Sequence, residues 1–196
     1  MEYLKEDLRR YIRNNAGFFR RIKIVLLTQG IWAIIVYRAS SWCHRNKRRL
    51  FYLRLLSPFL TILEKVTEIT TGISLPPTAR IGKGLYIGHF GGIIVSPLAV
   101  IGDYCNLSQG VSIGQAGRGG DQKVPFIGDR VFIGPGAKLF GGIRIGNDVA
   151  IGANAVVTKN LPDMAVAVGV PAKIVSYKGS MDFVLVRNRI DKDRGI

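Results

Sequence analysis

The chain has 196 residues, 47% of them hydrophobic, which is enough for one domain with a buried core and a smaller appendage. Lys and Arg number 28 against 13 Asp and Glu, and the excess lies at the amino end, where residues 1–54 carry thirteen basic and three acidic side chains. Cys43 and Cys105 are too few and too far apart for a disulfide scaffold or a metal site. We expect both to be structural thiols in a reducing compartment.

Residues 1–71 are predicted to form a basic, amphipathic helical head, because their apolar residues recur at helical spacing. Three helices are expected, at about residues 4–12, 22–42 and 50–69. Pro58 is expected to start or kink the third of them.

Two interpretations of the head remain open. Its apolar faces can pack on each other and on the following domain, or they can lie in the headgroup boundary of an anionic membrane. The basic residues considered for membrane contact are Arg20, Arg21, Lys23, Arg38, Arg45, Lys47, Arg48 and Arg49. Nucleic-acid binding is not expected, because these residues alternate with aliphatic helix faces and no base-reading motif is present.

No signal peptide is recognisable, because charges of both signs interrupt the first turns. The apolar run at residues 24–37 is shorter than the roughly 20 residues that a spanning helix needs. We therefore expect a cytoplasmic protein, held at the inner face of the membrane if the head binds lipid.

Residues 72–175 are predicted to form a second domain, and from Leu75 to Val157 its sequence repeats with a period of six. Glycine follows eight of the thirteen repeat positions, and the residue two places before each position is usually small or apolar. Such a unit is a short strand followed by a sharp corner, and units of this kind must stack into a solenoid to bury their apolar side chains. The repeat positions are Leu75, Ile81, Ile87, Ile93, Ile101, Leu107, Ile113, Ile127, Ile133, Leu139, Ile145, Ile151 and Val157.

The period is interrupted twice. Eight residues instead of six separate Ile93 from Ile101, which indicates a bulge or loop close to His89. Fourteen residues separate Ile113 from Ile127, so residues 114–126 are expected to leave the stack as a loop. Residues 176–196 are predicted to be a tail that caps the open end of the solenoid.

Four segments carry a resemblance to a known family: the run around His89, residues 108–114, the Gly-rich stretch at 119–121, and residues 169–173. Together they resemble the hexapeptide-repeat acyltransferases, and within them serine acetyltransferase. The resemblance implies a left-handed parallel β-helix, mainly β, with the helical head in front of it. It also implies a homotrimer with coenzyme A between adjacent β-helices.

The same resemblance implies an acetyl-CoA-dependent O-acetyltransferase with acetyl-CoA as co-substrate and no metal. His89 is its implied general base, a role that suits an imidazole titrating near working pH. Small residues would let the pantetheine approach the backbone, and Arg118 and Lys173 would meet the phosphates. The implied cofactor-binding residues are Gly114, Gln115, Arg118, Gly134, Pro135, Ala137, Ala153 and Lys173.

The acceptor side of the implied site comprises Ser74, Gly88, Gln109 and Lys123. Ser74 stands where the family has an Asp paired with the His, and Gly88 stands where it has an Asp that contacts the amino acid. Lys123 lies where the family has an Arg-His pair.

These departures favour a saccharide acceptor, in the synthesis of a surface or capsular polysaccharide, over free serine. The alternatives are a divergent serine O-acetyltransferase of cysteine biosynthesis and a catalytically silent scaffold.

Overall fold

The computed structural model describes residues 2–12, 17–46, 50–117 and 122–184, and the helical head occupies the first part of them. Its helices are α1 (Glu2–Tyr11), α2 (Phe18–Leu27), α3 (Gln29–Asn46) and α4 (Tyr52–Thr71). The predicted second helix is therefore two helices, which meet at 83° across the extended residue Thr28. Pro58 lies inside α4 and does not begin it.

Within the described residues no single helix is long and apolar enough to cross a membrane. Taken together as one bent segment, α2 and α3 meet the length and composition of a membrane span. Most of α3 is buried between α1, α4 and the β-domain.

Short strands follow, each two to four residues long, and they form three faces. Face 1 contains β1 (Ile73–Ser74), β4 (Ile93–Val95), β7 (Ser112–Gly114), β10 (Lys138–Phe140) and β13 (Val156–Val157). Face 2 contains β2 (Arg80–Ile81), β5 (Val100–Ile101), β8 (Phe126–Ile127) and β11 (Arg144–Ile145). Face 3 contains β3 (Tyr86–Ile87), β6 (Asn106–Leu107), β9 (Phe132–Ile133), β12 (Ala150–Ile151), β14 (Val166–Val168) and β15 (Lys173–Ser176).

The strands pair in parallel on every face, except that β15 runs antiparallel to β14. From β1 to β14, successive strands of the chain belong to different faces, so the chain winds as a three-sided parallel β-helix. All thirteen repeat positions point into it, and none of their side chains is more than 8% exposed. Each buried Ile, Leu or Val contributes roughly 1.5–3 kcal/mol, which explains why the sequence maintains the period.

The coil that carries His89 is longer than a regular coil. Ile81 pairs with a residue 20 positions later, whereas a regular coil returns to its own face after 18. Val95 pairs with Ile113 in the next coil, so Val95 and not Ile93 holds the repeat position. The two extra residues therefore precede Val95 and lie in the His89 segment. The predicted irregularity close to His89 is therefore confirmed, but the assignment of Ile93 as the repeat position was wrong, because Ile93 is an additional inward residue in a three-residue strand.

Polar side chains of the head cap the backbone of the first coil. Arg38 pairs with Asp7 and donates to the carbonyls of Ile81 and Gly82, while the Tyr37 hydroxyl donates to the carbonyl of Ala79. The end of a β-helix exposes unpaired backbone groups, and these contacts satisfy them. Arg38 is only 8% exposed, so its inclusion among the membrane-facing basic residues was wrong.

The described part of the tail packs along the side of the β-helix. The Phe183 ring stacks on Phe132 with centroids 4.8 Å apart, and its carbonyl accepts a hydrogen bond from Asn106. Val184 is buried. These contacts place the segment against face 3 and not across the open end as predicted; residues 185–196 lie outside the described residues.

Candidate active site

His89 lies on the segment that carries the chain from face 3 to face 1. Ile87 and Ile93 on either side of the segment are fully buried, and the Gly91 N–H donates to the carbonyl of Thr71. Gly91 and Gly92 both have positive φ, 98° and 65°, which glycine adopts without strain. The anchored segment leaves the His89 imidazole exposed. In the described part of the chain no hydrogen bond to this side chain is formed, so it is open to a ligand.

Glycines form a column on the same edge of the prism as His89. Gly92, Gly110 and Gly136 follow one another from coil to coil, each with positive φ. A Cβ on Gly110 would lie 3.3 Å from the Cα of Gly136, and one on Gly92 would lie 3.3 Å from the Cα of Gly110. The column therefore bears no side chains. We call the edge formed by residues 88–92, 108–110, 134–136 and 152–154 the His89 edge.

Several residues predicted to bind the cofactor or the acceptor lie on this edge. Gln109, Pro135 and Ala153 occupy it in successive coils, which stack about 4.8 Å apart. Lys173 is exposed in β15 and pairs with Val168, where face 3 ends beside the edge. His89 and these residues therefore form one line along the prism, which suits an extended ligand.

Three predicted cofactor-binding residues are small for reasons of packing. Ala137 is fully buried and points into the core. A Cβ on Gly114 would lie 2.4 Å from the ring of Phe140, and one on Gly134 would lie 2.7 Å from the carbonyl oxygen of Ile151. Packing alone therefore accounts for the small size of these residues, and their contact with pantetheine stays a prediction.

The interruption after β7 is a hairpin. Ala116 and Lys123 form an antiparallel bridge with two hydrogen bonds of 3.1 Å, and the Lys123 side chain covers Gly142 of the next coil. Gln115 is exposed at its base. Arg118, the predicted phosphate contact, lies outside the described residues. We call the paired segments 115–117 and 122–125 the hairpin, while residues 118–121 between them lie outside the described residues.

The hairpin leaves the prism between face 1 and face 2, whereas His89 lies between face 3 and face 1. A single chain therefore holds Gln115 and Lys123 at one edge and His89 at another. Residues predicted to form one site are separated by the width of face 1.

The acceptor-side residues differ in how close they come to His89. Ser74 is half-buried in β1, paired with Ile94 in β4, and no hydrogen bond joins it to His89. Gly88 lies against the Tyr86 ring, where a Cβ would be 3.2 Å from Cε1. An aspartate at position 88 would therefore require Tyr86 to move.

Two features beside the His89 edge are relevant to ligand binding. The Gln109 Oε1 atom is buried without a hydrogen-bond partner, which is costly unless a ligand satisfies it. Lys138, which sequence reasoning missed, donates from Nζ to the Gly110 carbonyl at 2.5 Å and to Ser112 Oγ at 3.0 Å. Lys138 could have been identified in the sequence as a lysine at an outward-facing position of a regular strand. No group of three or more His, Cys, Asp or Glu side chains is placed to hold a metal among the residues with described positions.

Comparison with known proteins identifies the class to which this architecture belongs. The family described as "Bacterial transferase hexapeptide (six repeats)" matches residues 125–159. Serine acetyltransferase of Helicobacter pylori strain J99 is 35% identical over 173 residues, which cover 88% of this chain and 96% of that protein. The corresponding protein of Mycobacterium tuberculosis is 34% identical, over 88% of this chain and 72% of its own length.

Solved structures extend the likeness to three dimensions. Serine acetyltransferase of Brucella abortus is 32% identical with a TM-score of 0.73, over 91% of this chain and 69% of its own. The Neisseria gonorrhoeae enzyme in complex with serine is 31% identical with a TM-score of 0.73, over 89% of this chain and 68% of its own. A coenzyme A complex of the Brucella protein is 30% identical with a TM-score of 0.74, over 91% and 68% of the two chains.

The fold thus defines a hexapeptide-repeat transferase. Within that class the chain belongs to the serine acetyltransferase family. The predicted left-handed β-helix with an N-terminal helical subdomain is confirmed. The acyltransferase class and the acetyl-CoA co-substrate are confirmed at the level of the family, by its coenzyme A complexes. The comparisons favour the serine alternative over a saccharide acceptor.

Proposed function

We propose that this protein transfers the acetyl group of acetyl-CoA to the hydroxyl of L-serine, with His89 as the general base. The observation that carries the proposal is the match to the Helicobacter pylori serine acetyltransferase along nearly the whole of both chains. The accessible imidazole of His89, on the line of residues along its edge, supplies a group that fits the reaction.

In the proposed reaction the His89 imidazole removes the proton of the acceptor hydroxyl as its oxygen attacks the thioester carbonyl. The new C–O bond forms, the C–S bond breaks, and the imidazolium returns the proton to the departing thiolate of coenzyme A. No acyl-enzyme is formed. A positioned base of this kind typically accelerates transfer by about 10²–10⁴-fold.

We place the pantetheine arm along the His89 edge. The column of bare glycines lets an extended chain approach the backbone closely. The unpartnered Oε1 of Gln109 suits an amide N–H of the arm, and the exposed ammonium of Lys173 suits its phosphates.

We also propose that the active unit is a homotrimer. The hairpin and His89 lie at different edges of one chain, so the hairpin can cover a His89 edge only on a neighbouring chain. Each site would then be shared between two protomers, which explains why one chain separates residues predicted to act together.

A saccharide hydroxyl remains a second candidate acceptor, because of Ser74 and Gly88. Neither position offers a carboxylate, and an amino acid acceptor carries an ammonium group that a carboxylate would pair. These substitutions favour an uncharged acceptor.

An acceptor screen with the purified full-length protein tests the proposal. Coenzyme A release from acetyl-CoA is followed with L-serine, nucleotide sugars and lipid-linked sugars, each against a blank without acceptor. We expect L-serine to give the highest kcat/KM. Transfer to a sugar but not to serine would replace the first candidate by the second. No transfer to any acceptor, together with no thermal stabilisation by coenzyme A, would leave the silent scaffold.

A further inference from the structure

The second helix, α2, presents an apolar face that nothing in the described chain covers. It has no buried residue, whereas α3 beside it has ten. Phe18, Ile22 and Leu26 stand four residues apart and share one face, and Phe19 lies next to them. Phe18 is 72% exposed, Phe19 85% and Leu26 60%. Leaving so much apolar surface in water is unfavourable, which indicates a partner.

Basic residues border this face. Arg20 and Lys23 are both exposed on α2, and the helix contains no acidic residue. Residues 8–63 as a whole contain no Asp or Glu. An apolar face flanked by basic side chains matches an anionic lipid surface, with the Phe rings below the headgroups and the cations among them.

A second copy of the chain would present the same charge to this face. Two copies of α2, each basic and without an acidic residue, would repel one another, so charge complementarity opposes self-association through α2. Trp32, 38% exposed and donating its indole N–H to the carbonyl of Val25, lies where α2 meets α3. Such a side chain suits the boundary between headgroups and acyl chains.

A contact between α2 and another surface would bring that surface close to the candidate active site. The chain turns from α2 into α3 at Thr28, and Gly30 packs so closely on Ile87 that a Cβ would lie 2.3 Å from its carbonyl oxygen. Ile87 is two residues before His89. A helix of ten residues is about 15 Å long, so a membrane that holds α2 lies close to the His89 edge.

We propose that α2 lies in the surface of an anionic membrane and docks the protein there. The contact is made by α2 and by Trp32 at the start of α3, because most of α3 is committed to the core through residues such as Ile34 and Arg38. It does not depend on which acceptor is acetylated.

Vesicle flotation of the full-length protein tests this inference. The vesicles are phosphatidylcholine alone, or phosphatidylcholine mixed with phosphatidylglycerol, at low and high salt. One variant carries Arg20→Glu and Lys23→Glu, and a second carries Phe18→Ser and Phe19→Ser, all at exposed positions. The charge-matched control carries Lys159→Glu in the β-domain and Lys178→Glu in the tail, both exposed positions distant from the head in the chain.

We expect wild type and control to float with the anionic vesicles at low salt and to lose binding as salt shortens the Debye length. Each α2 variant should bind at least about tenfold more weakly. Absence of flotation with anionic vesicles at low salt would overturn the inference, as would equal binding by the α2 variants and the control. A lower sedimentation coefficient in the Phe variant would show that another copy covers α2, which also overturns it. Acetyl transfer in solution, measured separately, tests the proposed function independently of membrane binding.

Discussion

The hydroxyl of Tyr11 makes two hydrogen bonds with the backbone of Ile87, two residues before His89. It accepts from the Ile87 N–H at 2.7 Å and donates to the Ile87 carbonyl at 3.0 Å. The Tyr11 ring also packs on Tyr86, with centroids 4.7 Å apart. One side chain of α1 thus closes the free edge of β3 and fixes the strand that leads into the His89 segment.

Tyr11→Phe should therefore destabilise the protein by about 1–3 kcal/mol, because it leaves the buried N–H of Ile87 without a partner. Chemical unfolding measures this change. Tyr52→Phe, at an exposed position, is the matched control and should have almost no effect. Equal stability of the two variants would contradict a capping role for Tyr11.

The ion pair of Asp7 and Arg38 is a second anchor between the head and the first coil. Burial raises the pKa of Asp7, while Arg38 and the N–H of Leu85 act in the opposite direction. Asp7→Ala should cost about 3–5 kcal/mol of unfolding free energy, because it leaves the guanidinium buried without its partner. Glu68→Ala breaks an exposed pair with Lys65 and should cost no more than about 1 kcal/mol. Similar costs for both variants would show that the buried pair does not hold the head in place.

Cys105 predicts a pH dependence of stability. Burial raises the pKa of its thiol from 9.0 to about 12, so the folded chain holds this proton more tightly than the unfolded chain. The resulting stabilisation is complete below pH 9 and is lost as the pH rises towards about 12. The loss amounts to about 1.4 kcal/mol for each pH unit in that window.

Cys105→Ala should therefore show a shallower alkaline decline of unfolding free energy than wild type. Burial also raises the pKa of Tyr11 and Tyr37, which remain in both proteins, so only the difference between the two slopes is informative. Urea unfolding at about pH 8 and about pH 11 measures it. Parallel slopes would contradict the prediction.

Mixed oligomers of two variants test whether the active site is shared between protomers, as the proposed trimer requires. One variant is His89→Ala, and the other has residues 117–122 replaced by Asn-Gly, a turn that suits the bridge between Ala116 and Lys123. Each should be inactive alone, and dissociating and reassembling them together should restore part of the activity. A site built within one chain would give no restoration, since each protomer would carry one lesion.

The sequence predicted the β-helix well because its period follows directly from packing. Every repeat residue must fill the same interior, so positions such as Ile101 and Ile151 carry the same type of buried aliphatic side chain. The six-residue spacing of these side chains can therefore be recognised in a single sequence. The place of the two extra residues was not visible, because Ile93 and Val95 both point inward and only strand pairing tells which one holds the repeat.

The site was predicted less completely, for two physical reasons. A small residue such as Gly114 can make room for a ligand or for a neighbouring ring, and its contact with the Phe140 ring is visible only in the structure. Arg38 was grouped with the basic residues of the head, yet its partner Asp7 lies 31 residues away in another helix. Contacts between distant segments determined both outcomes.

The most direct test of the proposed catalysis compares His89→Ala with His44→Ala, since the chain has only these two histidines and His44 is exposed in the head. Acetyl transfer from acetyl-CoA to L-serine, or to the sugar that proves active in the screen, is measured beside stabilisation by coenzyme A. We predict that His89→Ala lowers kcat by about 10²–10⁴-fold while coenzyme A still stabilises the protein, and that His44→Ala changes neither. Undiminished transfer by His89→Ala would contradict the assignment of His89 as the base.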